Sequence, residues 1–228
     1  MDMLHGPLLG KLMLLAVPIV LSSILQQMFN TADIAIAGTF ISSEAMAAVG
    51  SNAPVIGLFI SMLVGLSVGA NVLLAVGIGR REYDKVQVSL HTSMSVALLI
   101  GILMMLAGIV VARPILEMTS APADIIDMAE TYLRIYFLGM PFIMLYNFGS
   151  AVLRADGDSK RPLYCLIVSS LSNLVMDILF VTIFPWGIAG IALATTLANG
   201  INAVMILYFL VQEKGYLHFD WHRFVLDR

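Results

Sequence analysis

The chain contains six long apolar segments, and each exceeds the ~20 residues that a helix needs to cross a lipid bilayer. Hydrophobic residues make up 60% of the 228 residues and charged residues 12%, whereas a soluble domain carries roughly 25% charged residues. The sequence therefore predicts an all-α membrane protein. Its fold is a bundle of six transmembrane helices at residues 12–41, 53–79, 89–112, 131–153, 162–184 and 187–212.

The basic residues predict how this bundle is oriented. If the segments cross the membrane alternately, one side receives ten of the 12 Lys and Arg residues, and the other side receives only Arg113 and Arg134. The positive-inside rule places the basic-rich side in the cytoplasm. We therefore expect a multi-pass protein of the plasma (inner) membrane with both termini cytoplasmic. The ten residues are Lys11, Arg80, Arg81, Lys85, Arg154, Lys160, Arg161, Lys214, Arg223 and Arg228.

Two features predict how individual helices behave. The first segment is long enough to tilt or bend, and Pro18 inside it gives a cause for a bend. In the second segment, small residues recur every four positions at Gly57, Ser61, Gly65 and Gly69. Such a ridge lets another helix approach closely, so we expect it to be a packing face.

Two acidic residues lie well inside apolar segments, Asp33 in the first and Asp177 in the fifth. Each has polar neighbours at helical spacing: Gln26 and Asn30 precede Asp33, and Asn173 precedes Asp177 by one turn. An acid at membrane depth is costly to insert and normally faces a protein interior or a water-filled cavity. These two acids are therefore the first candidates for a functional site.

The sixth segment adds a polar stripe, in which Thr195, Asn199 and Asn202 share one helix face. Counted from the predicted outer ends of their spans, the two acids and Thr195 all lie about 10–12 Å deep. Asn147 in the fourth segment counts as deeper. Three helices are thus expected to present oxygen atoms at one level of the membrane.

Carboxylate, amide and hydroxyl oxygens at one level suit two kinds of ion. Two neighbouring acids can hold a proton, and the same oxygens can hold a small hard cation such as Na⁺. The alternative is that each acid only forms hydrogen bonds that join helices. The chain has no HExxH, Walker or CxxC motif, and all four histidines lie at or beyond span ends (His5, His91, His218 and His222). We therefore expect no enzyme, no catalytic residue, no cofactor and no nucleic-acid partner.

Several stretches together resemble the N-terminal lobe of the multidrug and toxic compound extrusion (MATE) transporters. They are PIVLSSILQQMFNTADIAIAG from Pro18, GANVLLAVGIGRREYDKV from Gly69, VLRADGDSKRPL from Val152, and NLVMD from Asn173 followed by GIAGIALATTLAN. The resemblance covers nearly the whole chain, and the motifs occur in the same order. It implies a six-helix lobe with a cytoplasmic N-terminus, which agrees with the count from hydropathy.

The resemblance also implies a function and a site. The chain is expected to be one lobe of an antiporter that exports organic, often cationic, drugs or metabolites in exchange for H⁺ or Na⁺. Its ion-coupling residues, and its Na⁺ ligands if Na⁺ is the ion, are then expected at Asp33, Asn173, Asp177 and Thr195. The expected cavity-lining residues are Gln26, Asn30, Asn147 and Asn199. Pro18 matches the proline at which some accounts of the family bend the first helix.

The chain departs from the family in length, because a family member has two such lobes with the substrate path between them. Residues 1–212 are expected to form one lobe and residues 213–228 a cytoplasmic linker to a second lobe, which makes the sequence a truncation. The alternative is that two copies pair as a homodimer. Other functional readings are a flippase for lipid-linked oligosaccharides, a membrane assembly subunit that transports nothing, and the membrane part of an ATPase-driven pump. Besides the substrate and membrane lipid, the expected partner is therefore a second six-helix lobe.

Overall fold

The computed structural model describes residues 8–119, 121–213 and 215–219, and within these ranges the regular secondary structure is entirely helical. This confirms the predicted all-α fold. The helices are α1 (Leu8–Phe40), α2 (Ser43–Gly79), α3 (Tyr83–Met118), α4 (Ile126–Leu138), α5 (Met140–Ala155), α6 (Lys160–Thr182) and α7 (Gly187–Gln212). Residue 214 and residues 220–228 of the predicted linker lie outside the described residues.

Two helices are longer than the sequence predicts. Helix α2 begins at Ser43, ten residues before the predicted start of the second span. Residues 43–52 are therefore helical and do not form a loop between two spans. The Ser42 side chain accepts a hydrogen bond from the Ala45 amide (3.1 Å), and Glu44 lies in the positive first turn. Helix α3 extends through Pro114 to Met118. In α2, local capping and an alanine-rich first turn therefore begin the helix earlier than hydropathy alone predicts.

The predicted continuous fourth span is wrong, because α4 and α5 meet at a bend of 48°. Gly139 separates them, and its amide donates to the Tyr136 carbonyl (2.9 Å) in a tighter turn. Pro141 follows and cannot donate to the Phe137 carbonyl one turn back, so the helix cannot continue straight. Among the described residues, five helices are long and apolar enough to cross a membrane by themselves, and there are up to six spans if the bent pair counts as one.

Helix α1, by contrast, is a single helix that runs through Pro18. The Pro18 carbonyl accepts a hydrogen bond from the Ser22 hydroxyl (2.8 Å), which is a common arrangement one turn after a proline. A bend at Pro18 therefore stays a prediction.

The core of the bundle lies around the broken span. Helix α5 packs against α2, α3 and α7, while α1 contacts mainly α2 and α6 at the edge of the bundle. Phe137, Met140 and Met144 near the bend are fully buried. On α1, the side chains of Val20 and Met28 are 56% and 62% exposed, so one face of this helix meets lipid or another protein surface.

Glycines permit the closest helix approaches, but they are different from those that the sequence singled out. A Cβ atom added at Gly101 of α3 would lie 2.6 Å from the Pro141 Cα atom, and one at Gly108 would enter the Phe137 ring. A Cβ atom at Gly57, Gly65 or Gly69 would meet nothing within 4 Å. The predicted ridge on α2 is therefore not used for packing within the described part of this chain.

Replacing Gly101 by Ala should destabilise the bundle by about 1–3 kcal/mol, because the Pro141 backbone cannot move aside. Gly65→Ala is the matched control, since its methyl group enters open space and should not destabilise the isolated chain. Cys165 is the only cysteine and is buried, so its labelling by a thiol-reactive dye during heating reports unfolding. Equal unfolding midpoints for the two variants would show that α3 and α5 are not in close contact at Gly101.

The orientation can be tested with single cysteines at exposed positions. Ser43→Cys and Ala123→Cys should react with a membrane-impermeant maleimide added outside the cell, whereas Lys85→Cys and Lys160→Cys should react only after permeabilisation. Buried Cys165 should give little background. The opposite pattern would overturn the orientation inferred from the basic residues.

Candidate functional site

A cavity of about 420 Å³ opens between the helices, with walls from α1, α2, α4, α5, α6 and α7. Seven of the eight residues predicted for the site line it: Gln26, Asn30, Asp33, Asn147, Asn173, Thr195 and Asn199. The eighth, Asp177, is fully buried and does not line the cavity. Polar residues spread over four helices of the sequence thus meet in one place.

Helices α1, α6 and α7 bring three of these side chains into direct contact. The Thr195 hydroxyl lies 3.2 Å from Oδ2 of Asp33, to which it can donate, and 3.0 Å from the Ile191 carbonyl. Asn173 Nδ2 donates to the same hydroxyl at 3.5 Å, the limit of a hydrogen bond. Asp33 is only 4% exposed and Asn173 5%, so these contacts are made away from bulk water.

Asp177 is buried one helical turn after Asn173, and its carboxyl group interacts with that of Asp33. Among the described residues, no donor reaches either oxygen of Asp177 or Oδ1 of Asp33. A buried carboxylate without a partner is strongly destabilising. A proton shared between the two groups, or a small cation held by their oxygens, would remove that cost. Binding one of these ions is therefore the chemistry that the arrangement supports.

Sequence reasoning missed three tyrosines that line the cavity, Tyr132 and Tyr136 of α4 and Tyr146 of α5. The rings of Tyr132 and Tyr136 stack with their centroids 6.3 Å apart, and Tyr132 interacts with both buried carboxyl groups. Their spacing of four residues was a usable signal, because it places both rings on one helix face.

An ion-pair network at the start of α4 positions these tyrosines. Glu130, which is 7% exposed, pairs with Arg113 of α3 at 2.9 Å and with Arg134 at 2.7 Å. Asp127 adds a second contact to Arg113 at 3.0 Å. Because Tyr132 follows Glu130 by two residues, the same network that ties α4 to α3 fixes the register in which Tyr132 faces the site.

The charged lining of the cavity is acidic. Asp33 is the only acidic residue that lines it, and no Lys, Arg or His of the described residues does so. The remaining polar lining consists of amides, hydroxyls and phenols, including Ser169, Ser170 and Asn202, which were not predicted as site residues. The cavity therefore favours a cationic over an anionic guest.

A multi-span helical bundle with buried acids beside a polar cavity is typical of membrane transporters. The family model described as MatE matches residues 18–179, and the chain therefore belongs to this family. The family resemblance read from the sequence is confirmed.

Relatives and solved structures agree with this assignment. The chain is 30% identical over 211 residues to the probable multidrug resistance protein YoeA of Bacillus subtilis, covering 91% of the chain and 46% of that protein. It is 32% identical over 216 residues to the probable multidrug resistance protein YpnP of the same organism, covering 93% and 48%. A crystal structure of MATE in the bent conformation superposes with a TM-score of 0.87 at 26% identity, covering 94% of this chain and 48% of that one.

The chain thus spans about half the length of the relatives that it matches. Because these relatives are named as transport and resistance proteins, the family is one of transporters and not of enzymes, as the sequence predicts.

The Thr195 hydroxyl can be tested as the donor to Asp33. Thr195→Val keeps the shape but leaves Oδ2 of Asp33 without a donor, and this should cost about 1–3 kcal/mol of stability. Thr195→Ser keeps the hydroxyl and should stay close to the parent chain. The measurement is again the midpoint of Cys165 labelling on heating. If the Val and Ser variants unfold together, the hydrogen bond does not support the site.

Proposed function

We propose that this chain is one lobe of a cation-coupled antiporter that exports organic, often cationic, compounds across the plasma (inner) membrane. Asp33 and Asp177 are the ion-coupling pair, and Asn173 and Thr195 complete the ion site. The observation that carries the proposal is the interaction of two buried carboxyl groups beside a cavity, where three of their oxygens lack a donor among the described residues. Purely structural acids would each be expected to have their own hydrogen-bond partners.

Coupling follows from the position of the pair. Asp33 belongs both to the cavity wall and to the contact with Asp177, so a cationic compound in the cavity and an ion on the pair compete for the same negative charge. A site that binds the ion disfavours the compound, and the two affinities are reciprocally linked. Such competition is what an exchanger needs.

Either H⁺ or Na⁺ fits this arrangement. A proton on one carboxyl group supplies a donor to the other, and this satisfies an oxygen that has no other partner. Na⁺ would draw on the carboxylate oxygens of the pair, the Asn173 side-chain oxygen and the Thr195 hydroxyl, which are hard oxygen ligands. The organic compound needs only the opposite charge to Asp33 and amides or phenols to contact.

The same lining weighs against a flippase for lipid-linked oligosaccharides. Such a substrate carries a phosphate group, which requires cationic side chains for recognition. The described lining contains none, whereas it contains an acid. Antiport of organic cations is the reading that agrees with the charge of the cavity.

A second six-helix lobe is proposed as the partner that closes the cavity. The small-residue ridge of α2 is unoccupied, and Gly57 and Ser61 of that ridge also line the cavity. Leu58 and Met62 beside the ridge are 67% and 58% exposed. Since solved MATE chains are about twice as long as this chain, the remaining half of such a transporter supplies a partner of suitable size. A helix of that lobe would pack onto the ridge, as small residues permit in membranes.

Asp177→Asn should abolish ion-driven efflux in a two-lobe transporter that contains this lobe, because the amide keeps the volume but cannot carry the charge. Asp33→Asn should do the same, and the double variant should be little worse than either, since groups that act as one unit are not additive. Efflux of a fluorescent organic cation is followed under an imposed pH gradient and, separately, under a Na⁺ gradient.

Asp124→Asn is the matched control, because Asp124 is an exposed acid outside the bundle core. It should retain efflux. Retained efflux in Asp177→Asn at a normal protein level would exclude Asp177 as a coupling residue.

The 228-residue chain alone should insert as a bundle but show no efflux, because alternating access needs a second lobe to move against. Efflux should return when a C-terminal lobe is supplied on the same or on a second polypeptide. Gly65→Leu should then block recovery, since its side chain would fill the ridge. The isolated chain and its Gly65→Leu variant should label equally at Cys165.

Purified chain in liposomes decides between this reading and paired copies. Gradient-driven movement of substrate by the 228-residue chain, together with a dimeric mass, would contradict the need for a different second lobe and would favour a homodimer.

A further inference from the structure

The chain folds back on itself after α7. Helix α7 ends at Gln212, and Gly215 has φ of 104°, a left-handed conformation that suits glycine and reverses the chain. The next residues lie along the last turns of α7, where the Phe219 amide donates to the Leu210 carbonyl (3.1 Å). Leu217 is 4% exposed and Phe219 is 1% exposed. We call Gly215–Phe219 the strap.

At the predicted cytoplasmic end of the bundle, the strap contacts α3 at two places and the turn between α5 and α6 at one. The Tyr216 ring stacks on Tyr83 at the start of α3, with centroids 4.5 Å apart, and its hydroxyl donates to Oδ1 of Asp156 in the turn between α5 and α6 (2.7 Å). The Phe219 ring stacks on His91, two turns further along α3, at 5.2 Å. Two aromatic rings of the strap therefore pack on the same helix.

A charged cluster next to the strap holds its starting point. Arg161 at the beginning of α6 pairs with Glu213, the residue immediately after α7, and with Asp158 at 2.9 Å. Its guanidinium group lies 5.8 Å from the centre of the Phe209 ring. The end of α7 is thus fixed to the start of α6 immediately before the strap begins.

These contacts matter because the strap joins helices that do not otherwise pack together. Helix α3 packs on α2, α4 and α5, and α7 packs on α4, α5 and α6, but α3 and α7 have almost no direct contact in the described part of the chain. The strap begins at the end of α7 and places Tyr216 and Phe219 on α3. It therefore adds a link between these two helices beside their shared packing on α5.

We propose that the strap is a clasp that joins α3 to α7 and makes the predicted cytoplasmic end of the bundle one rigid unit. The sequence predicts only a linker here. The structure instead assigns residues 215–219 of that linker to the bundle. This proposal does not depend on the transported compound or on the coupling ion.

The test uses the full 228-residue chain with Phe219→Ala, and Phe40→Ala as the matched control. Phe40 is 51% exposed at the end of α1, so the same atoms are removed without loss of buried contacts. Hydrogen exchange of residues 215–219 and the heating midpoint of Cys165 labelling are measured in parallel. Phe219→Ala should speed exchange by about tenfold or more and lower the midpoint by about 6 °C or more, because a buried ring is lost.

Tyr216→Phe keeps the stacking on Tyr83 but removes the hydrogen bond to Asp156, so its exchange rate should fall between those of the parent chain and Phe219→Ala. If Phe219→Ala does not accumulate in the membrane, Phe219→Leu replaces it and should give the same changes at smaller size. Faster hydrogen exchange in the strap, with a labelling midpoint equal to that of Phe40→Ala, would overturn the proposal. The strap would then pack on the bundle without stabilising it. Unchanged exchange would overturn it as well.

Discussion

The structure depends on the burial of two neighbouring carboxyl groups inside a helical bundle. Asp33 and Asp177 are 144 residues apart in sequence, and among the described residues only Oδ2 of Asp33 has a donor. Leaving a buried charge unpaired costs several kcal/mol, a large share of the stability of any protein. Such an arrangement persists only if something relieves that cost, and an ion that binds and leaves does so reversibly. In the proposed function, stability and ion binding therefore depend on the same pair of carboxyl groups.

The rest of the fold supports this pair. The close approach at Gly101 and the bend at Gly139 direct α4 so that Tyr132 faces the two acids, and the Glu130 ion pairs hold α4 in register. Helix α1 carries Asp33 but packs against few neighbours, so the acid sits on the least supported helix of the bundle. An element with little packing moves at low cost, which agrees with the ion-coupling role proposed for Asp33.

Much of this was readable from the sequence, because membranes impose simple rules. Hydropathy locates spans, and an acid such as Asp177 inside a span is conspicuous because lipid tolerates so few. Helical spacing then grouped Asn173 with Asp177, and depth counting matched Thr195 to both. Hydropathy does not record the direction of a helix, so the sequence did not predict the bend at Gly139. Tyr132 was not predicted as a site residue either. Gly101 looked like any other glycine, since only the tertiary approach of Pro141 gives it a role. The sequence did not predict that the strap packs on the bundle, because a polar segment after a span is normally a loop.

The central claim is that Asp33 and Asp177 bind the ion as one unit. Solid-state NMR of the chain with ¹³C-labelled aspartate side chains measures it directly, because a carboxyl signal shifts when a proton or Na⁺ binds. The signals of Asp33 and Asp177 should change over the same range of pH or of Na⁺ concentration. In Asp177→Asn, the range over which the Asp33 signal changes should move, while that of exposed Asp124 should not. An Asp33 signal that responds to the ion identically with and without the Asp177 carboxyl group would contradict the account.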